Sequence, residues 1–250
     1  MNIAVCVKQV PDTETRIKIN EDKKSIDESE INFILNPYDE FAVEEALKLK
    51  ESEGGDVTVV SLGPDRVSST IRSALAMGAN KAIHLKTDST PVDPMATAEA
   101  LSQVLKDENF DIIFLGKQAI DDDHAQMGSL LSEKLGIPAI NVITKFELNE
   151  DTVIANRQIE GGVEKTEAKL PCIVTAQRGL NEPRYASLKG IMAAKKIQIE
   201  EKSPDVPADH IEIVEINYPP KKPEGKIVGE GPDAVPELIR LLREEAKVIS

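Results

Sequence analysis

The chain has 250 residues, with 44 acids against 30 Lys and Arg, a formal charge of −14, 40% hydrophobic residues, 3% aromatics and no Trp. That apolar content and length suffice for a full core, which excludes disordered and fibrous classes. The surplus of acids repels phosphate backbones and anionic lipid, so a nucleic-acid or membrane-surface role is not expected.

Residues 3–8 predict a first strand, and its apolar run is too short for a signal peptide core or a membrane span. A polar, hairpin-like excursion follows at 16–26. Asn36-Pro37 then opens a helix, with an N-cap residue and a proline at the first helical position. Asp39, Glu40, Glu44 and Glu45 put negative charge near the positive end of its dipole, Val43, Ala46 and Leu47 form its apolar stripe, and Gly54-Gly55 end it. The pattern repeats through strand 57–62, the Gly63-Pro64 turn and helix 65–77, which carries Ile71, Ala74 and Leu75 on one face and stops at Gly78. Strand 81–85, helix 97–109, strand 111–115 and helix 124–135 follow, the last with Met127, Leu130 and Leu131 inward. Strands alternating with helices predict an α/β fold: a mostly parallel, doubly wound sheet of the adenine-nucleotide-binding type, with helices on both faces.

After Pro138 the style changes. Segments 139–148, 152–159 and 163–170 are strand-like, and Gly161-Gly162 signals a hairpin turn, so a β-hairpin extension is expected. Pro171 precedes a last apolar strand at 172–176. Residues 203–231 are proline-rich and without period, an extended arm. The arm leads to a helix at 233–247 with Val235, Leu238, Ile239 and Leu242 at i, i+3, i+4 and i+7. The organisation expected is an α/β domain over 1–202, and an arm with its helix over 203–250 that docks on its own core or on a partner.

Neither a GxGxxG nor a Walker A loop is present. His84, His124 and His210 are scattered without metal-ligand spacing. Cys6 and Cys172 sit far apart in apolar runs, as inert buried thiols of a reducing, cytoplasmic setting. No catalytic or metal-binding set emerges. Chemistry is instead suggested by Gly116-Lys117-Gln118-Ala119-Ile120-Asp121-Asp122-Asp123, directly behind a strand. Ligands of open α/β sheets bind outside the carboxyl ends of strands, where a glycine admits a ligand, helix N–H groups meet phosphate and a carboxylate holds ribose hydroxyls. The same acids would equally cap the helix expected at His124; the residues alone leave both readings open. Asn36-Pro37-Tyr38-Asp39 and the end of the first strand reach the same edge. Each alone is structural, Asn36 as a cap and Lys8 as a solvated strand end; together they outline one adenine-nucleotide crevice. Residues 178–196 hold Arg178, Arg184, Lys189, Lys195 and Lys196 against Glu182 alone, interleaved with Tyr185, Leu188, Ile191 and Met192. This is a docking element, or an ordinary amphipathic helix with a basic C-terminal end.

Three blocks resemble the β subunit of electron transfer flavoproteins: NPYD at 36–39 with the helix behind it, residues 116–123, and LNEPRYASLKGIMAAKK at 180–196. The likeness extends over nearly the whole chain, including ALAMG at 74–78 and the Gly161-Gly162 hairpin. The resemblance implies a carrier subunit rather than an enzyme, part of an αβ heterodimer that takes electrons from acyl-CoA-type flavoprotein dehydrogenases to a quinone reductase or similar acceptor. It implies redox FAD mainly on the α subunit and a structural AMP in the β subunit. By position, the AMP site comprises Cys6, Asn36, Pro37, Tyr38, Asp39, Leu62 and the segment from Gly116 to Met127. Its phosphate would meet backbone N–H groups near Asp123, His124, Ala125, Gln126 and Met127. Leu188 would be the peg that enters a pocket of the dehydrogenase, flanked by Arg184, Tyr185, Ile191, Met192, Lys195 and Lys196.

Some members bifurcate electrons, with NADH as donor and a second FAD where AMP would sit. Residues 7–13 and NPYD look like that group, and Thr13 stands where many ordinary members have tyrosine. Asp121-Asp122-Asp123 and block 180–196 are of the ordinary type. A carboxylate at Asp122, where bifurcating relatives tend to carry glycine, crowds an inserted flavin, so AMP is the expected ligand. Gln158 stands where relatives often have glutamate, and Ala193 replaces a lysine, which makes docking less electrostatic. A non-redox adenine-nucleotide sensor would also explain the crevice but would leave 180–196 without purpose.

Overall fold

The computed structural model describes residues 1–221 and 225–249. It divides into two units, Met1–Glu215 and Ile216–Ser250. In the first, apolar strands with both faces covered build a sheet between two helical layers. Its central strands are β1 (Asn2–Cys6), β4 (Asp56–Gly63), β5 (Lys81–Lys86), β6 (Ile112–Gly116) and β10 (Cys172–Ala176). Strand alternation sorts their side chains. Ile3, Val5, Val57, Val59 and Phe114 pack under α1 (Pro37–Glu53) and α2 (Val67–Met77). Ala4, Cys6, Val60, Leu62 and Ile113 pack under α3 (Pro94–Asp107) and α4 (Met127–Leu135). The expected α/β class, with helices on both faces, is the observed one.

The sheet has nine strands in the order β11-β5-β4-β1-β6-β10-β7-β8-β9, where β11 is Glu200–Lys202. The last three, β7 (Ala139–Asn149), β8 (Thr152–Ile159) and β9 (Gly162–Lys169), form the antiparallel hairpin extension; all other pairs are parallel. A separate two-stranded sheet pairs β2 (Gln9–Pro11) with β3 (Phe33–Leu35).

Three of the boundaries that differ from expectation have a clear local reason. The first strand ends at Cys6 and not at residue 8, because the Lys8 N–H donates to the Asp39 carboxylate rather than to a ladder. Helix α3 starts at Pro94, three residues early, because the Asp93 carboxylate accepts the Met95 N–H and a proline takes the first position. Helix α4 starts at Met127 and not at His124, since Asp123 (φ 52°) and Ala125 (φ 53°) lie in the left-handed region.

Residues 178–187 are irregular and lead into the seven-residue α5 (Leu188–Ala194). Residues 203–215 contain no helix or strand and are tied down by side chains: Gln103 Nε2 donates to Asp205 O, and Lys24 pairs with Glu212. In the second unit, a 3-10 turn at Pro232–Ala234 leads into α6 (Val235–Glu244), where Arg240 pairs with Glu237 and Glu244 while Val235, Leu238 and Ile239 are exposed.

Candidate functional site

From β1 the chain winds one way to β4 and β5, and later the other way to β6 and β10. The sheet therefore reverses between β1 and β6, the switch point at which open α/β sheets form their ligand crevice. Gly116, the last residue of β6, lets the start of α1 come close: a Cβ there would lie 2.4 Å from Asp39 Oδ1 and 2.7 Å from the Tyr38 carbonyl carbon. Asp39 is buried, and its carboxylate accepts the N–H of Lys8 at 2.7 Å and of Gly116 at 2.9 Å. One side chain thus ties both strand ends that flank the switch point. Burial pushes its pKa up to about 7, although the two N–H donors pull the other way.

Asn36 does not cap α1 with its side chain as expected. Its Nδ2 donates to Gln118 O at 2.9 Å, and its Oδ1 accepts the Ile120 N–H at 3.3 Å. A fully buried amide therefore holds the base of the loop behind β6.

The crevice opens to solvent between the ends of β1, β4 and β6, the loop behind β6 and the β5–α3 loop, and its floor is apolar, with Val60, Leu62, Leu101 and Leu115. Of the residues assigned to nucleotide binding from the sequence, all but Pro37, Tyr38, Ile120, Asp121 and Asp123 line it. The sequence reading missed the wall opposite: Thr90, Pro91, Val92 and Pro94 from the β5–α3 loop, with Thr97 and Leu101 of α3. The signal was there, since β5 is another parallel strand ending at this edge and Asp93-Pro94 repeats the helix-opening pair at 36–37. Asp209 braces that wall by accepting the N–H groups of Val92 and Asp93, and His210 donates its N–H to Asp93 at 3.0 Å.

The three acids of the loop do not cap α4, whose N-cap residue Gln126 makes no side-chain cap and whose first turn has no acid. Asp121 and Asp122 instead share Lys8, whose Nζ donates to them at 2.8 and 2.7 Å. Asp122 also accepts the His124 N–H, and Gln118 Nε2 bonds Asp123 at 2.5 Å. Burial raises the Asp122 carboxyl, but Lys8 outweighs it and holds the group below the usual range. Helix α3 is closed by Asp93 and α5 by Ser187; among the described residues α1, α2, α4 and α6 have no side-chain cap, and α4 starts at the crevice. Such an end receives anions. The Cys6 thiol, in the crevice wall, is pushed up to about 12 by burial and by Asp39; burial alone does the same to Cys172. Neither is a nucleophile at neutral pH.

Segment 178–196 lies elsewhere and is built differently. Tyr185, Leu188 and Met192 are 99, 84 and 59% exposed, and Ile191, Lys195 and Lys196 are exposed with them. Arg184 is not part of that outward group. It donates Nε to the buried Glu44 carboxylate at 2.8 Å and Nη1 to Glu51 at 2.6 Å, which pins the loop to α1. Arg72 of α2 closes the far end on the carbonyls of Ala194 and Ile197, and Gly190 sits where a Cβ would meet the Ala76 carbonyl oxygen at 2.3 Å.

The fold and its crevice define a doubly wound α/β protein with a cleft at its switch point. Residues 24–207 match the electron transfer flavoprotein domain. The chain is 44% identical over 259 residues to electron transfer flavoprotein subunit beta of Bacillus subtilis (strain 168), covering all of both chains. It is 40% identical over 250 residues to the subunit beta of Syntrophomonas wolfei, covering 99% of this chain and 98% of that one, and 39% identical over 257 residues to the full-length mitochondrial subunit beta of Arabidopsis thaliana. The chain belongs to the electron transfer flavoprotein family, among its β subunits. No helix among the described residues is long and apolar enough to cross a membrane.

Proposed function

We propose that the chain is the β subunit of a heterodimeric, cytoplasmic electron carrier that takes electrons from acyl-CoA-type flavoprotein dehydrogenases to a quinone reductase or similar acceptor. Its crevice holds AMP, and FAD lies mainly with the α subunit. One observation carries the nucleotide assignment: the uncapped start of α4 meets an apolar-walled cleft at the switch point. The residues present fit the ligand. Val60, Leu62, Leu101 and Leu115 offer a surface for a base, the first N–H groups of α4 suit a monophosphate, and Asp122 can accept from ribose hydroxyls. The same carboxylate, kept ionised by Lys8, opposes a flavin in this place and supports AMP over a second FAD.

FAD, when bound, supplies the electron chemistry; this chain supplies position. Leu188 stands at the first turn of a helix capped by Ser187, on a loop fixed by Arg184 and Arg72. An apolar tip held still by polar fastenings gives a partner a small anchor, firm in position and weak enough to release. The exposed apolar side of α6 is assigned to the α subunit. The test is reduction of the complex by a reduced donor dehydrogenase in stopped flow. Leu188→Ala slows transfer about tenfold or more, on the scale of one apolar anchor, with nucleotide content unchanged. An unaltered rate refutes the docking assignment.

A further inference from the structure

We propose that Lys8 is the gate of the crevice: its ammonium, shared by Asp121 and Asp122, latches the loop behind β6 to the end of β1 and sets how fast the bound adenine nucleotide leaves. The inference rests on the reading of the crevice as a nucleotide site.

The loop over residues 117–126 is fastened in two places. At its base, buried Asn36 holds the Gln118 carbonyl and the Ile120 N–H, and the Lys117 N–H donates to the Ala176 carbonyl at the end of β10. Beyond that, its tip bonds mainly to itself, through Asp123 N–H to Ala119 O and Gln118 to Asp123. The ties that cross from the tip to the opposite strand end are the two from Lys8. Lys8 and Asp122 both line the crevice while Asp121 does not, so the ion pair lies on its rim. Its members are 31, 29 and 36% exposed at the side chain, neither sealed in nor fully in solvent.

A surface ion pair ordinarily contributes roughly 0–1 kcal/mol. Two features raise the expectation here. One ammonium serves two carboxylates with charge-assisted bonds, and both ends are positioned in advance: the Lys8 N–H is fixed by Asp39 and Asp122 is oriented by the His124 N–H. Removing the ammonium also leaves Asp121 and Asp122 without their shared counter-charge, so the two carboxylates repel each other and Asp122 adds negative charge to the crevice wall.

The test uses the protein purified with its partner and its bound nucleotide, and follows exchange of that nucleotide against radiolabelled AMP. Lys8→Met is expected to exchange about tenfold faster or more, the scale of two charge-assisted bonds. Lys8→Arg retains the charge and stays near the wild-type rate. Wild-type exchange accelerates with salt, whereas that of Lys8→Met does not. Amide hydrogen exchange over residues 117–126 gives a second readout without ligand, with protection falling in Lys8→Met. If Lys8→Met fails to fold, Asp121→Asn/Asp122→Asn removes the latch from the other side and is expected to act alike. Wild-type exchange rates and wild-type loop protection in these variants overturn the proposal. Purified wild type without adenine nucleotide would refute the crevice reading instead, and loop protection would still decide whether Lys8 is the latch.

Discussion

The loop behind β6 and the loop that carries α5 are both irregular and both secured by ion pairs to distant parts of the chain, but they face opposite ways. Around the crevice, the polar groups Asn36, Asp39, Lys8 and Asp122 turn inward and define a cavity. In the other loop, the charged groups are the fastenings, Arg184 on Glu44 and Glu51, while tyrosine, leucine and methionine side chains stand in solvent. Exposed apolar side chains on a pinned support cost the free chain something and have value only to a partner. Charge therefore serves cohesion at both places, and recognition is carried by what the charges hold still.

The sharpest way to break the comparison is Gly116→Ala. Its Cβ would press on Asp39 Oδ1 at 2.4 Å and on backbone at 2.7 Å, and neither neighbour yields easily. We expect a loss of about 3 kcal/mol or more in urea unfolding and loss of bound nucleotide, with transfer through the α5 loop failing only as a consequence. Next comes Arg184→Ala, which strands the buried Glu44 carboxylate. Allowing for the partial exposure of Arg184, the expected cost is about 2 kcal/mol, with faster protease cleavage between residues 180 and 197 and unchanged nucleotide content. Arg184→Lys recovers part of this, because one ammonium cannot reproduce a fork that spans two carboxylates.

A smaller effect concerns pH. Burial raises Asp39 above its unfolded value, so its contribution is fully present below the ordinary carboxylate range and is lost as pH rises through about 7. The stability difference between wild type and Asp39→Asn should therefore shrink between pH 4 and 8; a constant difference would show the carboxylate ionised throughout. The smallest effect on the fold is that of Leu188→Ala. With the side chain 84% exposed, unfolding should move by less than about 0.5 kcal/mol. A larger change would mean that Leu188 packs in the free protein, and the contrast between the two loops would collapse.

Much of the architecture was legible because apolar strands buried on both faces alternate with helices that open on Asn-Pro and stop at glycine. What stayed hidden depends on pairs distant in sequence. Asn36 looks like a cap and instead supports a loop 82 residues away; Lys8 looks like a solvated strand end and meets Asp121 across 113 residues. Arg184 belongs by composition to a basic docking island, yet Glu44 and Glu51 take its guanidinium. The late start of α4 was also beyond reach, since Ala125 carries no local mark of positive φ. Local pattern specifies elements; only the fold decides which polar group a side chain meets.

The most direct test of the central claim is to denature the protein purified with its partner and count the released nucleotides. One AMP and one FAD per heterodimer are expected. Two FAD and no AMP would contradict it, make Asp122 a wall that a flavin tolerates, and turn the carrier into a bifurcating one.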